Sequence, residues 1–293
     1  MIEYTPTIPG PDPNTKTPKF KLPPKSCDAH CHIFGPGSKY PYAPDRTYTP
    51  PDAPLEAFRK LHGILGVERA VIVNASAHGT DNRVALDAIA VSNGAYRAVA
   101  NIDDTITDKG LRELHEGGFR GCRFNFVRHL GGVPDMKVFE RVVSMIAPLG
   151  WHLNLHFDAI DLPQYAKMLE KLPCTYIIDH MGRVKASDGL EQEPFRILLD
   201  LMKNDEKAWV KVCGSERVSS SGPPFHDSAP FAAKLIEVAP DRCVWGTDWP
   251  HPNVKSMPND GDLVDLIPLF AKDAVAQEKI LVKNPARLYG WDD

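Results

Sequence analysis

RAVIVNASAHGTDNRVALDAIAVSNGAYRAVANID (69–103) reads as a strand, a helix and a second strand. Its ends, RAVIVNAS (69–76) and YRAVANID (96–103), are short apolar runs, as strands buried on both faces must be. DNRVALDAIAVSN (81–93) between them is helix-like. Working outward, the same alternation fills the chain. Further strand-like runs stand at SCDAHCHIF (26–34), GCRFNFV (121–127), HLNLHF (152–157), TYIIDHMG (175–182), AWVKVCG (208–214) and RCVWGTDW (242–249). Helical stretches separate them at 54–66, 109–118, 136–150, 162–172, 193–204 and 230–240, and a closing helical region follows. In 136–150 the apolar residues Val138, Val142, Val143 and Ile146 recur at helical spacing. Eight strands alternating with helices predict an α/β fold, a closed parallel (β/α)8 barrel in preference to an open doubly wound sheet.

The 293 residues suit one barrel of ordinary size. Residues 1–25 are rich in Pro, Thr and Lys and form an extended arm, disordered or packed on the body; 26–293 form the barrel domain. A second Pro-rich stretch, 35–55, follows the first strand as a long loop, a place where function concentrates. Hydrophobic residues make up 43% of the chain, enough for a sizeable core, and a net charge of −4 gives no sign of a nucleic-acid partner. No apolar run approaches the roughly 20 residues that span a bilayer, so no membrane partner is expected. The six cysteines lie in or beside strands without any CxxC pair, which predicts free buried thiols in a reducing cytoplasm. The oligomeric state is not legible.

Barrel enzymes place their chemistry at the carboxyl ends of the strands. The first strand ends in His30-Cys31-His32, whose imidazoles share a face of an extended chain and suit two ligands of one metal, zinc above all. His156 ends the fifth strand, Asp179-His180 the sixth, and Asp248 the eighth. One such histidine is an ordinary buried side chain; His30, His32, His156, His180 and Asp248 together, at four strand ends, are a site. His152 opens a strand, at the wrong end, and His62 and His115 lie in helices. Arg123 in the fourth strand, Arg128 after it and Arg217 after the seventh offer guanidinium forks to carboxylates or sulfonates. Tyr48 in the long loop, with Ser76 and His78 after the second strand, could add donors to a bound substrate.

DAHCHIFGP (28–36), ASAHGTDN (75–82), LHEGGFRGCRFNF (114–126), IDHMGR (178–183), WGTDWPHPN (245–253) and NPARLYGW (284–291) resemble the amidohydrolase superfamily. Within it the chain is most similar to the family of 2-pyrone-4,6-dicarboxylate and 4-sulfomuconolactone hydrolases. The resemblance implies a small anionic lactone as substrate and one divalent metal ion, zinc, on His30, His32 and His156 with Asp248. It makes Asp248 the base and His180 the group that polarises the carbonyl or holds the water. Arg123, Arg128, Arg217, Tyr48, Ser76 and His78 would bind the substrate. Histidine at 156, where the pyrone hydrolases carry tyrosine, and His129, where they carry arginine, favour the zinc-requiring sulfomuconolactone type. The metal-independent pyrone hydrolase is the alternative, and a decarboxylase of the same superfamily a further one. No lysine stands in the fourth strand, which argues against a carbamate-bridged metal pair.

Overall fold

The computed structural model describes residues 4–292, so the first three residues of the expected arm and Asp293 lie outside the described residues. Eight parallel strands follow one another in chain order around a barrel: β1 (Cys27–Cys31), β2 (Arg69–Val73), β3 (Tyr96–Ala100), β4 (Phe119–Asn125), β5 (His152–His156), β6 (Tyr176–Ile178), β7 (Ala208–Lys211) and β8 (Cys243–Val244). Each is nearly or wholly buried, because helices cover the outside and side chains fill the inside. The seam between the last strand and the first is closed by backbone bonds to the segment after β8. Ala29 N–H donates to Trp245 O (2.9 Å), Asp248 N–H to His30 O (2.7 Å) and His32 N–H to Trp249 O (2.7 Å). Asp28 knots that seam: its carboxylate accepts from Thr247 N–H (2.9 Å), Thr247 O–H (2.5 Å) and the His62 ring (3.2 Å) of the first helix.

The outer layer begins with α1 (Leu55–Leu65), α2 (Arg83–Ala90), α3 (Asp108–Glu116), α4 (Met136–Ile146), α5 (Leu162–Glu170) and α6 (Glu193–Asn204). A short α7 (Ser215–Val218) precedes α8 (Ala229–Val238), and α9 (Asp260–Asp265), α10 (Ile267–Phe270), α11 (Ala274–Glu278) and α12 (Asn284–Tyr289) close the chain. Caps set several starts, as where Thr107 accepts from Gly110 N–H below α3 and Asp135 from Lys137 N–H below α4. On α4 the buried stripe is Phe139, Val142, Val143 and Ile146, with Val138 only partly buried beside it, so the apolar face is rotated slightly from the one the sequence suggests. The six cysteines are free and buried.

β6 and β8 are shorter than the runs that announced them. Beyond Ile178 the chain turns through left-handed backbone at His180 (φ 55°), Met181 (φ 53°) and Arg183 (φ 53°), and beyond Val244 it does so at Asp248 (φ 68°). Non-glycine residues rarely hold such angles, and they gather where a site over-determines them. Inside the barrel Cys27, Ala29, Val71, Val73, Val99, Ile177, Trp209 and Val244 pack together, and Tyr289 of α12 plugs the amino-terminal end. Two residues further along the same faces the interior turns polar: Asp179 after Ile177, Lys211 after Trp209, and Asn154 and His156 after His152. The described part of the arm packs on the body, where Lys19 and Phe20 N–H donate to Asp265 Oδ1 (2.7 and 2.8 Å) and Thr7 N–H to Thr49 O (2.8 Å). No described helix is long and apolar enough to cross a membrane.

Candidate active site

The strand tips bring three imidazoles to one carboxylate oxygen. Asp248 Oδ1 lies 3.5 Å from His30 Nε2, 3.4 Å from His32 Nε2 and 3.8 Å from His180 Nε2, and all four side chains are at most 2% exposed. The other oxygen, Oδ2, is clamped by Arg217 through Nε (2.7 Å) and Nη2 (2.6 Å). Burial alone would raise the Asp248 pKa, but the Arg217 guanidinium and the surrounding imidazoles outweigh it and hold the carboxyl well below its usual range. Asp248 is therefore an anion at neutral pH.

The imidazoles of His30 and His180 are neutral. Burial lowers His30 to about 3, with Lys211 adding to the effect, and burial also holds His180 well below its ordinary value. His32 Nδ1–H donates to Val73 O (2.8 Å), so in the neutral ring Nε2 carries a lone pair. A lone pair facing a carboxylate oxygen at 3.4 Å is repulsive unless a positive centre lies between them. His30 Nε2 and Asp248 Oδ1 have no hydrogen-bond partner, although both are buried. His30, His180 and Asp248 each present a ligand atom within 4.8 Å of the others. Tetrahedral zinc with bonds near 2.0–2.1 Å has ligands roughly 3.3–3.5 Å apart. The donors and their spacing fit a divalent ion.

His156 packs edge-on against His180, 5.2 Å between ring centroids, and its nitrogens have other partners. Arg123 Nη2 donates to its Nδ1 (3.0 Å), the Asn125 side chain lies 3.0 Å from the same nitrogen, and Arg183 Nη1 approaches Nε2 at 3.5 Å. Burial first, then Arg123, lowers its pKa well below the ordinary value, so the neutral ring is an acceptor for the Arg123 guanidinium. Of the residues expected as ligands, His30, His32 and Asp248 stand together with His180 added, while His156 directs its nitrogens to the arginines.

Arg123 is buried beneath the site and pairs with Asp179 (Nε to Oδ2, 3.2 Å). Tyr48 is buried beside Ser76, within electrostatic reach of Arg123, Arg217 and Asp248. His78 is buried too, but Gly35 N–H (3.4 Å) and Pro41 O (3.4 Å) engage its two nitrogens, so it braces the long loop. Arg128 is exposed and, with Arg183 and Arg217, lines a cleft of about 1030 Å³.

Several polar residues here carried little sequence signal. Lys211, fully buried at the end of β7, donates to His30 Nδ1 (2.9 Å) and pairs with Asp179 (3.3 Å). The sign it left was a lone charge inside AWVKVCG. Asp179, noted at its strand end without a role, also accepts from Asn154 Nδ2 (3.2 Å). Behind Arg217 stand Glu216 (3.6 Å) and His251, whose Nε2–H donates to Asp260 (3.1 Å). Burial would lower His251, but Asp260 and Glu216 outweigh it and raise it to about 10.

The amidohydrolase family model matches residues 27–291. A Comamonas testosteroni 2-pyrone-4,6-dicarboxylate hydrolase is 45% identical over 96% of this chain and 94% of its own. A Hydrogenophaga intermedia 4-sulfomuconolactone hydrolase is 43% identical over 99% and 96%. A solved Acinetobacter baumannii structure with citric acid bound, described as a probable 2-pyrone-4,6-dicarboxylic acid hydrolase, superposes with a TM-score of 0.80 at 25% identity, covering 91% of this chain and all of that one. The barrel, the strand-end site and these likenesses agree: the chain belongs to the amidohydrolase family.

Proposed function

We propose that this enzyme hydrolyses a small anionic lactone with the help of one divalent metal ion, zinc, and that 4-sulfomuconolactone, giving maleylacetate and sulfite, is its substrate. That the chain is a lactone hydrolase rests on relatives at 42–45% identity whose names are lactone hydrolases. The observation that carries the metal is the approach of three Nε2 atoms to Asp248 Oδ1.

His30, His32, His180 and Asp248 would hold the ion, which would supply Lewis acidity and lower the pKa of a water it binds to roughly 7. This chain's own residues do the rest. Arg217 pins one carboxylate oxygen and leaves Oδ1 facing the imidazoles. A carboxylate held so far toward its anion takes a proton only in passing, so Asp248 serves as a relay from water to the departing ring oxygen. Arg183, Arg128 and Arg217 face the cleft and suit two anionic groups on one substrate, and Tyr48 with Ser76 can orient the ring. The histidine at 156 and the absence of the pyrone family's arginine at 129 favour the sulfonated lactone over a pyrone dicarboxylate.

The test is a hydrolysis screen of 4-sulfomuconolactone, 2-pyrone-4,6-dicarboxylate and muconolactone, with and without chelator. Sulfite release that stops with chelator and returns with zinc is expected. Pyrone hydrolysis indifferent to chelator would assign the metal-independent reaction instead, and carbon dioxide release a decarboxylase.

A further inference from the structure

His30 differs from His32 in one respect: its readiness to bind a metal is not fixed by the fold. His32 gives its Nδ1–H to a backbone carbonyl, and a carbonyl only accepts. His30 Nδ1 has two partners of opposite kind. Lys211 Nζ stands 2.9 Å away and Asp179 Oδ1 3.3 Å away. An ammonium has three donors and no acceptor, whereas a carboxylate only accepts. When Lys211 donates, Nδ1 must be bare, and the neutral ring carries its one hydrogen on Nε2, facing Asp248 Oδ1 at 3.5 Å. When Asp179 accepts, the hydrogen sits on Nδ1 and Nε2 offers a lone pair.

We infer that Lys211 is a positioning residue that holds His30 in the Nε2–H form while no metal is bound, and that metal capture requires His30 to hand its Nδ1 from Lys211 to Asp179. This rests on the metal reading of the site given above. The shorter of the two contacts is the one to Lys211, and its side chain is wholly buried, so water does not compete for it. The exchange moves one hydrogen from Nε2 to Nδ1 and neither adds nor removes a proton. Lys211 is not stranded by it, because it keeps Asp179 Oδ1 at 3.3 Å. Two consequences follow. Lys211 opposes metal binding, both as a competing donor and as a positive charge beneath the ion. It also gives the metal-free site an N–H donor, on Nε2, at the position where a ligand lone pair would otherwise stand. Whether this site works as a metal centre or as a set of hydrogen-bond donors is then decided under the first strand.

The measurement is the nitrogen-15 spectrum of histidine-labelled full-length protein, with His30 assigned by the signal lost in His30→Gln. After removal of metal, wild-type His30 is expected to show protonated Nε2 and bare Nδ1, and added zinc should reverse the pair. Lys211→Met should show protonated Nδ1 without metal and bind zinc about tenfold more tightly, whereas Asp179→Asn should bind it roughly 10–100-fold more weakly. Protonated Nδ1 in the metal-free wild type overturns the proposal by itself, even if the variants do not fold. So does a Lys211→Met protein that retains the Nε2–H form. Failure of zinc to bind the wild type would remove the metal reading of the site, while the position of the His30 hydrogen would still decide the role of Lys211.

Discussion

Gly246 lies where the barrel closes, and replacing it with alanine tests whether that closure also places the site. A Cβ at 246 would stand 2.5 Å from the backbone nitrogen of His30, 2.9 Å from His30 Cβ and 2.9 Å from Asp28 Oδ1. Ordinary van der Waals contact begins near 3.4 Å, so β1 and the segment after β8 must part by nearly 1 Å. They cannot part freely. Ala29, His30 and His32 are tied across the seam to Trp245, Asp248 and Trp249, and Asp28 is tied to Thr247. Overpacking of this kind costs about 1–3 kcal/mol, and a seam hydrogen bond lost with it about 1 kcal/mol more. At roughly 2 °C per kcal/mol for a chain of this size, Gly246→Ala should lower Tm by about 4–8 °C. His30 moves with β1, and a misplacement approaching 1 Å can cost about 100-fold in rate. Both effects should therefore appear together in thermal unfolding and kcat. Gly63→Ala is the matched control. That residue sits on α1, where an added Cβ would meet nothing within 4 Å, so alanine there should stabilise the helix by about 0.5–1 kcal/mol. A Gly246→Ala enzyme with wild-type Tm and kcat would refute the reasoning.

Arg217→Met leaves Asp248 Oδ2 and buried Glu216 without their guanidinium. Removing one partner of a buried pair typically costs about 3–5 kcal/mol, so urea unfolding should show a loss of that size alongside lost activity. An unchanged urea midpoint would mean that water reaches Asp248. His152 gives a pH-dependent prediction away from the site. Burial lowers it to about 3, with Lys211 adding to the effect, while its Nε2–H donates to Asn154 Oδ1 (3.0 Å). A depressed histidine contributes stability above its unfolded value near 6.5 and loses it as pH falls toward 3. His152→Gln should remove about 1.4 kcal/mol per pH unit from the acid-side slope of stability between those values, measured by urea titration from pH 4 to 7. Identical slopes in the two proteins would contradict the buried neutral ring.

The alternation of apolar runs carried the barrel, because strands buried on both faces and helices buried on one leave different periods in a sequence. His30, His32, His180 and Asp248 were legible from the same logic, since a strand's end and its two-residue repeat fix which way a side chain enters the site. What periodicity cannot carry is the partner that a side chain meets. His156 points inward as its position demands, yet Arg123 and Arg183 reach its nitrogens from β4 and from the left-handed turn after β6. Arg183 left no periodic sign, because a residue in a turn has no face to read. The brevity of β8 was also illegible: CVWGTDW has strand composition throughout, and only the close approach of Gly246 to β1 and the left-handed Asp248 end the ladder after Val244.

His156→Tyr separates the reading from sequence, in which residue 156 binds metal, from the one the geometry supports. If His156 were a ligand, tyrosine there would abolish metal retention. In the structure its Nδ1 accepts from Arg123 (3.0 Å) and its Nε2 faces Arg183 (3.5 Å), while the atoms gathered on Asp248 belong to His30, His32 and His180. Tyrosine would leave those atoms in place and release two guanidinium groups toward the cleft, where they meet substrate anions. Zinc content should then stay near one per chain, kcat should change less than KM, and preference should move between sulfonated and dicarboxylated lactones. Elemental analysis of the purified variant decides it. A metal-free His156→Tyr beside a zinc-bearing wild type would return residue 156 to the ligand set and remove the arginines' claim on it, because a ring cannot both accept from a guanidinium and coordinate an ion through the same lone pair.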